Sequence, residues 1–136
     1  MTAPRSGPTL ACETMEFTSH PESHLVVLRF VADTSLSGRH GAALVEAIKG
    51  VVGAPGEPFG LLADAKGVLR TDADYRTATG EFFAQHRDTA RIALINLGPV
   101  IRIVAEMFRV GIRLRLKTFA DEAAARGWLR AQGIGA

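Results

Sequence analysis

The chain has 136 residues, of which 47% are hydrophobic and 22% are charged. These proportions are ordinary for one globular domain that is large enough to bury its own core. Its 16 basic residues are nearly balanced by 14 acidic ones, which leaves a net charge of +2. That excess is too small to indicate a nucleic-acid partner.

The cysteine content and the first residues set the expected compartment and domain limits. Cys12 is the single cysteine, so the sequence offers neither an internal disulfide nor a cysteine-based metal motif, and we expect a reducing cytoplasm. No apolar run approaches the roughly 20 residues of a membrane span. Residues 1–11 contain two prolines and no continuous apolar stretch, so we predict a disordered tail there and a single domain over 12–136.

The first half of the domain predicts two strands and a helix. A short strand is expected over Glu13 to Thr18, and Leu25 to Val31 has the dense apolar character of a strand buried on both faces. A helix follows and ends before Gly53. Gly38 and Gly41 either permit a close backbone approach or delay this helix to Ala42, and we take the later start as the prediction.

The middle of the chain predicts a strand, a loop and a second helix. The strand is Phe59 to Asp64, and residues 65–70 are interpreted as a loop. Thr71-Asp72-Ala73-Asp74 supplies a capping oxygen and first-turn acids, which are typical of a helix start. The buried side of this helix is predicted to contain Tyr75, Ala78, Phe82 and Phe83.

The last third predicts two more strands and two more helices. A buried strand over Ile92 to Leu97 precedes a Gly-Pro break and a helix over Val100 to Val110. Apolar and basic residues then alternate from Ile112 to Lys117, which predicts a strand at a sheet edge. The final helix is expected to be capped by Thr118 or Asp121, to bury Ala124, Trp128 and Leu129, and to end at Gly133.

Strands separated by single helices run parallel and wind in a right-handed sense. The element order therefore predicts an α/β fold with a mostly parallel sheet of four to five strands, a superhelical (βα)n topology and four helices.

The sequence contains no recognisable catalytic, metal or cofactor motif. The four histidines (His20, His24, His40 and His86) lack metal-ligand spacing, and no glycine-rich phosphate loop follows a strand. Asp64, Asp72 and Asp74 cluster near one strand-helix turn, where acids commonly cap a helix. We therefore expect a non-enzymatic protein without a cofactor. The enzymatic alternative requires a pocket that joins Asp64, Asp74 and a histidine.

The helix over Val100 to Val110 has an unusual composition. Its polar residues Arg102, Glu106 and Arg109 fall within about 60° of arc, and its apolar surface is about twice what one sheet covers. Three interpretations remain open: the last helix or the tail covers it, two copies of the chain pair through it, or it faces an apolar ligand or a membrane. The candidate interface or ligand-facing residues are Val100, Ile101, Val104, Met107, Phe108 and Arg109.

From Leu25 to Gly133, the element order resembles the STAS family of anti-sigma-factor antagonists, and above all a divergent branch compared with CRAL-TRIO lipid-transfer domains. Three segments carry the resemblance: D-A-K-G-V-L-R-T-D-A-D ending at Asp74, I-N-L-G-P-V-I, and K-T-F-A-D-E-A-A-A-R-G-W-L. The resemblance implies a STAS-like fold and a regulatory module that binds a protein partner in bacterial signalling. The divergent branch implies the alternative of a carrier or sensor of a lipid or another apolar or anionic ligand, with weak membrane association.

The antagonists carry a phosphorylatable serine in a turn that matches Asp72-Ala73-Asp74-Tyr75 here. Asp74 occupies the serine position, so the resemblance implies that this chain is not phosphorylated there. Asp72, Asp74 and the nearby hydroxyl of Thr71 are the candidate switch-turn residues. Asp74 either mimics a phosphoserine or simply favours the helix N-terminus. With the serine lost, we expect function to depend on the helix over Val100 to Val110, most simply in a homodimer.

Overall fold

The computed structural model describes residues 8–135, which contain eight strands and four α-helices. The strands are β1 (Thr9–Ala11), β2 (Met15–His20), β3 (Leu25–Phe30), β4 (Thr34–Leu36), β5 (Phe59–Asp64), β6 (Val68–Thr71), β7 (Ala90–Ile95) and β8 (Arg115–Phe119). The helices are α1 (Gly38–Lys49), α2 (Ala73–Gln85), α3 (Pro99–Gly111) and α4 (Glu122–Ala131), with a 3-10 turn at Pro21–Ser23.

The main sheet has six strands in the order β1-β2-β3-β5-β7-β8. Strands β3, β5, β7 and β8 are parallel, whereas β1 and β2 join the sheet in antiparallel pairs. The predicted α/β fold with a mostly parallel sheet and four helices is confirmed. The sheet exceeds the predicted four to five strands because β1, in the segment predicted as a tail, pairs antiparallel with β2 at one edge.

Helices cover the two faces of the sheet unequally. The core on one face contains Leu44 and Ile48 from α1 and Phe82 and Phe83 from α2, with Phe108 of α3 packed against it. Among residues 8–135, the core on the other face receives buried helical side chains only from α4, namely Ala125 and Leu129. Successive residues of β3 alternate between the two cores because side chains in a strand point to opposite faces.

Several predicted boundaries, and one predicted buried residue, are wrong. Thr9–Ala11 pairs with β2 as a strand, so the predicted tail ends too late, while residues 1–7 lie outside the described residues. Residues 65–70 are not only a loop, because Val68–Thr71 pairs with β4 in a separate two-stranded sheet. The edge strand β8 begins at Arg115 rather than Ile112, since Arg113 adopts a positive φ of 57° after α3. In α4 the buried alanine is Ala125, whereas Ala124 is exposed.

A further wrong boundary is the start of α1. This helix begins at Gly38 and not at Ala42, and the two glycines permit a close helix contact instead of delaying the start. A Cβ added at Gly41 would lie 3.2 Å from the Ala78 Cβ and 3.3 Å from the Tyr75 carbonyl oxygen of α2. The absence of a side chain at Gly41 therefore sets the close approach of α1 to α2.

We expect Gly41→Ala to destabilise the protein. Overpacking against the α2 backbone costs about 1–3 kcal/mol, which exceeds the gain of about 1 kcal/mol in helix propensity. The control is Gly127→Ala in α4, where the nearest atom to an added Cβ is 3.9 Å away and the same substitution should stabilise. Urea unfolding measures both variants, and a Gly41→Ala protein as stable as Gly127→Ala would contradict this account.

Candidate functional site at the start of α2 and along α3

The turn that leads from β6 into α2 holds the candidate switch residues. Within the segment predicted to supply a capping oxygen, Asp72 caps α2, because its Oδ1 accepts a hydrogen bond from the Tyr75 backbone N–H at 2.8 Å. The Thr71 hydroxyl and carbonyl oxygens both accept from Nη1 of Arg76, at 2.9 and 2.8 Å. The Thr71 hydroxyl is therefore already engaged within the turn.

Asp74 lies where the first turns of two helices meet. It is exposed in the first turn of α2, and a Cβ added at Gly38, the first residue of α1, would lie 3.0 Å from the Asp74 Cβ. A carboxylate at this position is favoured by the positive ends of helix dipoles. Among residues 8–135, no hydrogen-bond donor is paired with the Asp74 carboxylate.

A histidine caps the neighbouring helix α1. His40 Nδ1 lies 3.1 Å from the Ser37 backbone nitrogen and 2.8 Å from the Ser37 hydroxyl oxygen. A ring nitrogen that accepts the backbone N–H cannot itself carry a proton. Burial, and secondarily the charge of Arg39, lowers the pKa of His40. The start of α1 therefore depends on a neutral imidazole.

Helix α3 presents two distinct apolar faces. Its inner face contains buried Ile101 and Ala105 and half-buried Val104 and Phe108. Its outer face exposes four large apolar side chains, with exposed fractions of 54% for Val100, 64% for Ile103, 55% for Met107 and 62% for Val110. We call these four residues the outer ridge. Of the predicted interface residues, only Val100, Met107 and Arg109 therefore lie on exposed surface.

Two residues of the polar stripe of α3, Glu106 and Arg109, pair with each other. Arg109 Nε donates to the Glu106 Oε1 at 2.9 Å, and this hydrogen bond is the main cause that lowers the pKa of Glu106 and raises the pKa of Arg109. Both side chains are exposed, so solvent screens the pair and its contribution to stability is small.

An apolar cavity of about 90 Å³ lies beneath the inner face of α3. Its walls come from the sheet, from α1, from α2 and from β6, and they include Leu36, Leu44, Val68, Thr71, Tyr75, Phe83, Leu94, Ile101, Val104, Ala105 and Phe108. Burial raises the pKa of the Tyr75 hydroxyl, so this group stays protonated at neutral pH. The cavity thus combines apolar walls with a neutral hydroxyl-bearing ring.

No metal site in residues 8–135 supports the enzymatic alternative. Within the part of the chain that the structure describes, no group of three or more His, Cys, Asp or Glu residues is placed to hold a metal ion. Asp64 ends β5, and its Oδ1 accepts hydrogen bonds from the Lys66 backbone N–H at 3.0 Å and from Asn96 Nδ2 at 2.9 Å. These local bonds give Asp64 the role of a turn residue.

Two features of the site were missed in the sequence. The cavity depends on β4 and β6, which pair between distant residues and leave no local periodic signal in the sequence. The available sign of strand β6 was the apolar pair Val68-Leu69 after Gly67. The capping role of His40 was also missed, since histidine is not the usual residue at the third helical position.

Comparisons with known proteins place this architecture among STAS-like folds. An uncharacterised protein of the DUF3478 family with a SpoIIAA-like fold, from Shewanella loihica PV-4, superposes with a TM-score of 0.63 at 14% identity, over 95% of this chain and 98% of that one. The anti-sigma factor antagonist SpoIIAA in its unphosphorylated form gives 0.53 at 14% identity, over 85% and 97%. Part of the murine anion transporter Slc26a9 gives 0.55 at 17% identity, over 80% of this chain and 18% of that one.

The chain therefore has a STAS-like fold, as the sequence resemblance implied. No protein-family model matches it, and no curated protein sequence does either. None of the helices within residues 8–135 has the length and apolarity that crossing a membrane requires.

We expect part of the stability of the protein to depend on pH through His40. Because folding lowers the pKa of His40 below 6.5, its contribution is fully present above pH 6.5 and is lost as the pH falls through the folded-state value. His40→Gln keeps a side chain that accepts from the cap N–H but does not titrate. Urea unfolding at pH 5 and at pH 7.5 should show a smaller loss for His40→Gln than for the unmodified protein; equal losses would contradict the role of His40.

Proposed function

We propose that this chain is a non-enzymatic regulatory module of the STAS type, that it acts by binding protein, and that its contact surface is the outer ridge of α3. The observation that carries the proposal is the exposure of Val100, Ile103, Met107 and Val110 on one helix face. Isolated exposed apolar residues are common on protein surfaces, whereas an aligned row of them is typical of interaction sites. The fold shared with an anti-sigma factor antagonist supports a regulatory role in bacterial signalling, and the single cysteine supports the cytoplasm as its compartment.

A second copy of the chain is the partner that fits the ridge. Its residues are separated by three, four and three positions, so the spacing is the same in both directions along α3. In an antiparallel pair of helices with a two-fold axis level with Ala105, Val100 of one copy faces Val110 of the other, and Ile103 faces Met107. Such self-complementarity is what a two-fold dimer requires.

The expected dimer is weak. Stable protein interfaces bury roughly 800 Å² on each partner, and four side chains on one helix form only the centre of such an interface. We therefore propose a concentration-dependent equilibrium between monomer and dimer.

Substitution of Met107 tests the dimer directly. Met107→Glu places two carboxylates in the centre of the paired ridges, where they are desolvated without a counterion, and should weaken dimerisation by about tenfold or more. Sedimentation equilibrium over a range of protein concentrations measures the dissociation constant.

The matched control is Val31→Glu, because Val31 is 59% exposed and Met107 is 55% exposed. Val31 follows β3 and is not part of α3, so its substitution should leave the dissociation constant unchanged. A protein that stays monomeric at millimolar concentration, or a Met107→Glu variant that dimerises like Val31→Glu, would refute self-association through the ridge.

For the switch turn we propose that Asp74 stabilises the start of α2 as a fixed negative charge. Its exposed place in the first turn beside Gly38 of α1 supports this role. The alternative, that Asp74 acts as a permanent mimic of a phosphoserine toward a partner, draws on the same carboxylate and on the sequence resemblance.

A second candidate function is that of a carrier or sensor of an apolar ligand, and the cavity beneath α3 favours it. Its volume of about 90 Å³ is smaller than the roughly 150 Å³ that holds one benzene molecule in an engineered protein cavity. A short apolar chain fits this space, whereas a whole lipid fits only if α3 moves outward.

A series of straight-chain alcohols from ethanol to octanol tests the cavity. Binding should strengthen with chain length until the cavity is full and then weaken, whereas partition onto the surface strengthens steadily with chain length. Thermal unfolding with each alcohol measures the stabilisation. Ala105→Leu fills the cavity from α3 and should abolish the stabilisation by alcohols. Ala123→Leu, on the exposed side of α4, should leave that stabilisation unchanged. If the stabilisation by alcohols increases steadily with chain length in both variants, a cavity ligand is excluded.

A further inference from the structure

A cleft of about 200 Å³ lies beside α4, on the face of the sheet opposite α3. Helix α4 packs on β5, β7 and β8, so its side that faces β2 is left open. The last residue of β2, the 3-10 turn, the final turn of α4 and the segment at Ile134 and Gly135 form the walls. The Gly135 backbone N–H donates to the Ser23 carbonyl at 3.3 Å and closes one end.

The cleft has more positive charge than its surroundings neutralise. Arg126 and Arg130 line it from successive turns of α4, a spacing at which like charges repel each other. Arg126 Nε lies 2.7 Å from Glu122 Oε2, and the other oxygen of Glu122 accepts from Arg29. Two guanidinium groups therefore share one carboxylate. Arg130 has no ion pair or side-chain hydrogen bond with any residue between 8 and 135.

The remaining walls suit an anion that carries a small apolar group. His20 and Ser23 add hydrogen-bonding side chains from the opposite wall, while Leu25, Leu129 and Ile134 supply apolar contacts. Planar guanidinium groups bind the paired oxygens of phosphates and carboxylates especially well. An ion that bridges Arg126 and Arg130 would also remove their mutual repulsion.

We propose that this cleft binds an oxyanion, a phosphate or a carboxylate on a small organic group, with the charge between Arg126 and Arg130 and the carbon part against Leu129 and Ile134. The site lies on the other face of the sheet from the ridge of α3 and from the apolar cavity. It is therefore independent of the function proposed above.

Amide chemical shifts followed by NMR test this site with inorganic phosphate and butyl phosphate at constant ionic strength. Saturable shifts are expected at Ser23, Arg130 and Gly135, with tighter binding of butyl phosphate because its carbon chain meets the apolar wall. Arg130→Gln should weaken binding by about ten- to a hundredfold, the usual effect of losing a charged hydrogen bond. Arg102→Gln removes an exposed arginine from α3 and should leave binding unchanged.

The source of the oxyanion is separated by sedimentation with phosphatidylglycerol vesicles. Binding of butyl phosphate without Arg130-dependent binding to vesicles indicates a free small molecule, and vesicle binding that Arg130→Gln removes indicates a lipid headgroup. Both outcomes support the site. The absence of saturable shifts at the cleft, or an equal loss of binding in Arg102→Gln, overturns it, and thermal unfolding of each variant verifies that it is folded.

Discussion

Backbone hydrogen bonds hold β5 between β3 and β7, and apolar side chains cover both faces of these three strands. Both faces of the central sheet must therefore be covered by other elements, since parallel strands of this kind are stable only when buried. Three helices share one face and a single helix covers part of the other. Both candidate sites, the region of α3 and the cleft beside α4, lie where this cover is incomplete.

On the face of the sheet that α1, α2 and α3 share, the close contact between α1 and α2 is accompanied by empty space beneath α3. Gly41 lets α1 approach the backbone of α2 closely, and α3 then lies over β6 and β8 at the far side of the same face. A ring carbon of Phe108 lies 3.8 Å from the position of a Cβ added at Gly80, but the space beneath the inner face of α3 remains partly empty. Helix α3 therefore packs mainly on β6 and β8, whereas α1 and α2 pack closely on each other.

Features that depend on local chemistry were predictable from the sequence. The strand Phe59–Asp64 has the predicted bounds, Asp72 caps α2 within the predicted cap segment, and Asp121 is the cap of α4 out of the two predicted candidates. Pairing between distant segments was not predictable, which is why Val68–Thr71 was taken as a loop. The excess apolar surface of α3 was visible in its composition. Which half of that surface faces the cavity depends on the packing of α3, so Ile101, Val104 and Phe108 could not be separated from Met107 without the structure.

The strand β8 forms one edge of the main sheet and has a hydrogen-bonding side that no described strand occupies. Such an edge invites strands of other molecules and leads to open-ended aggregates. The exposed Arg115 and Lys117 place positive charges along it, and like charges resist the addition of an identical strand. The opposite edge, β1, is only three residues long. The molecule thus discourages growth of the sheet at both ends, so association through a helix would end in a closed pair instead of a fibre.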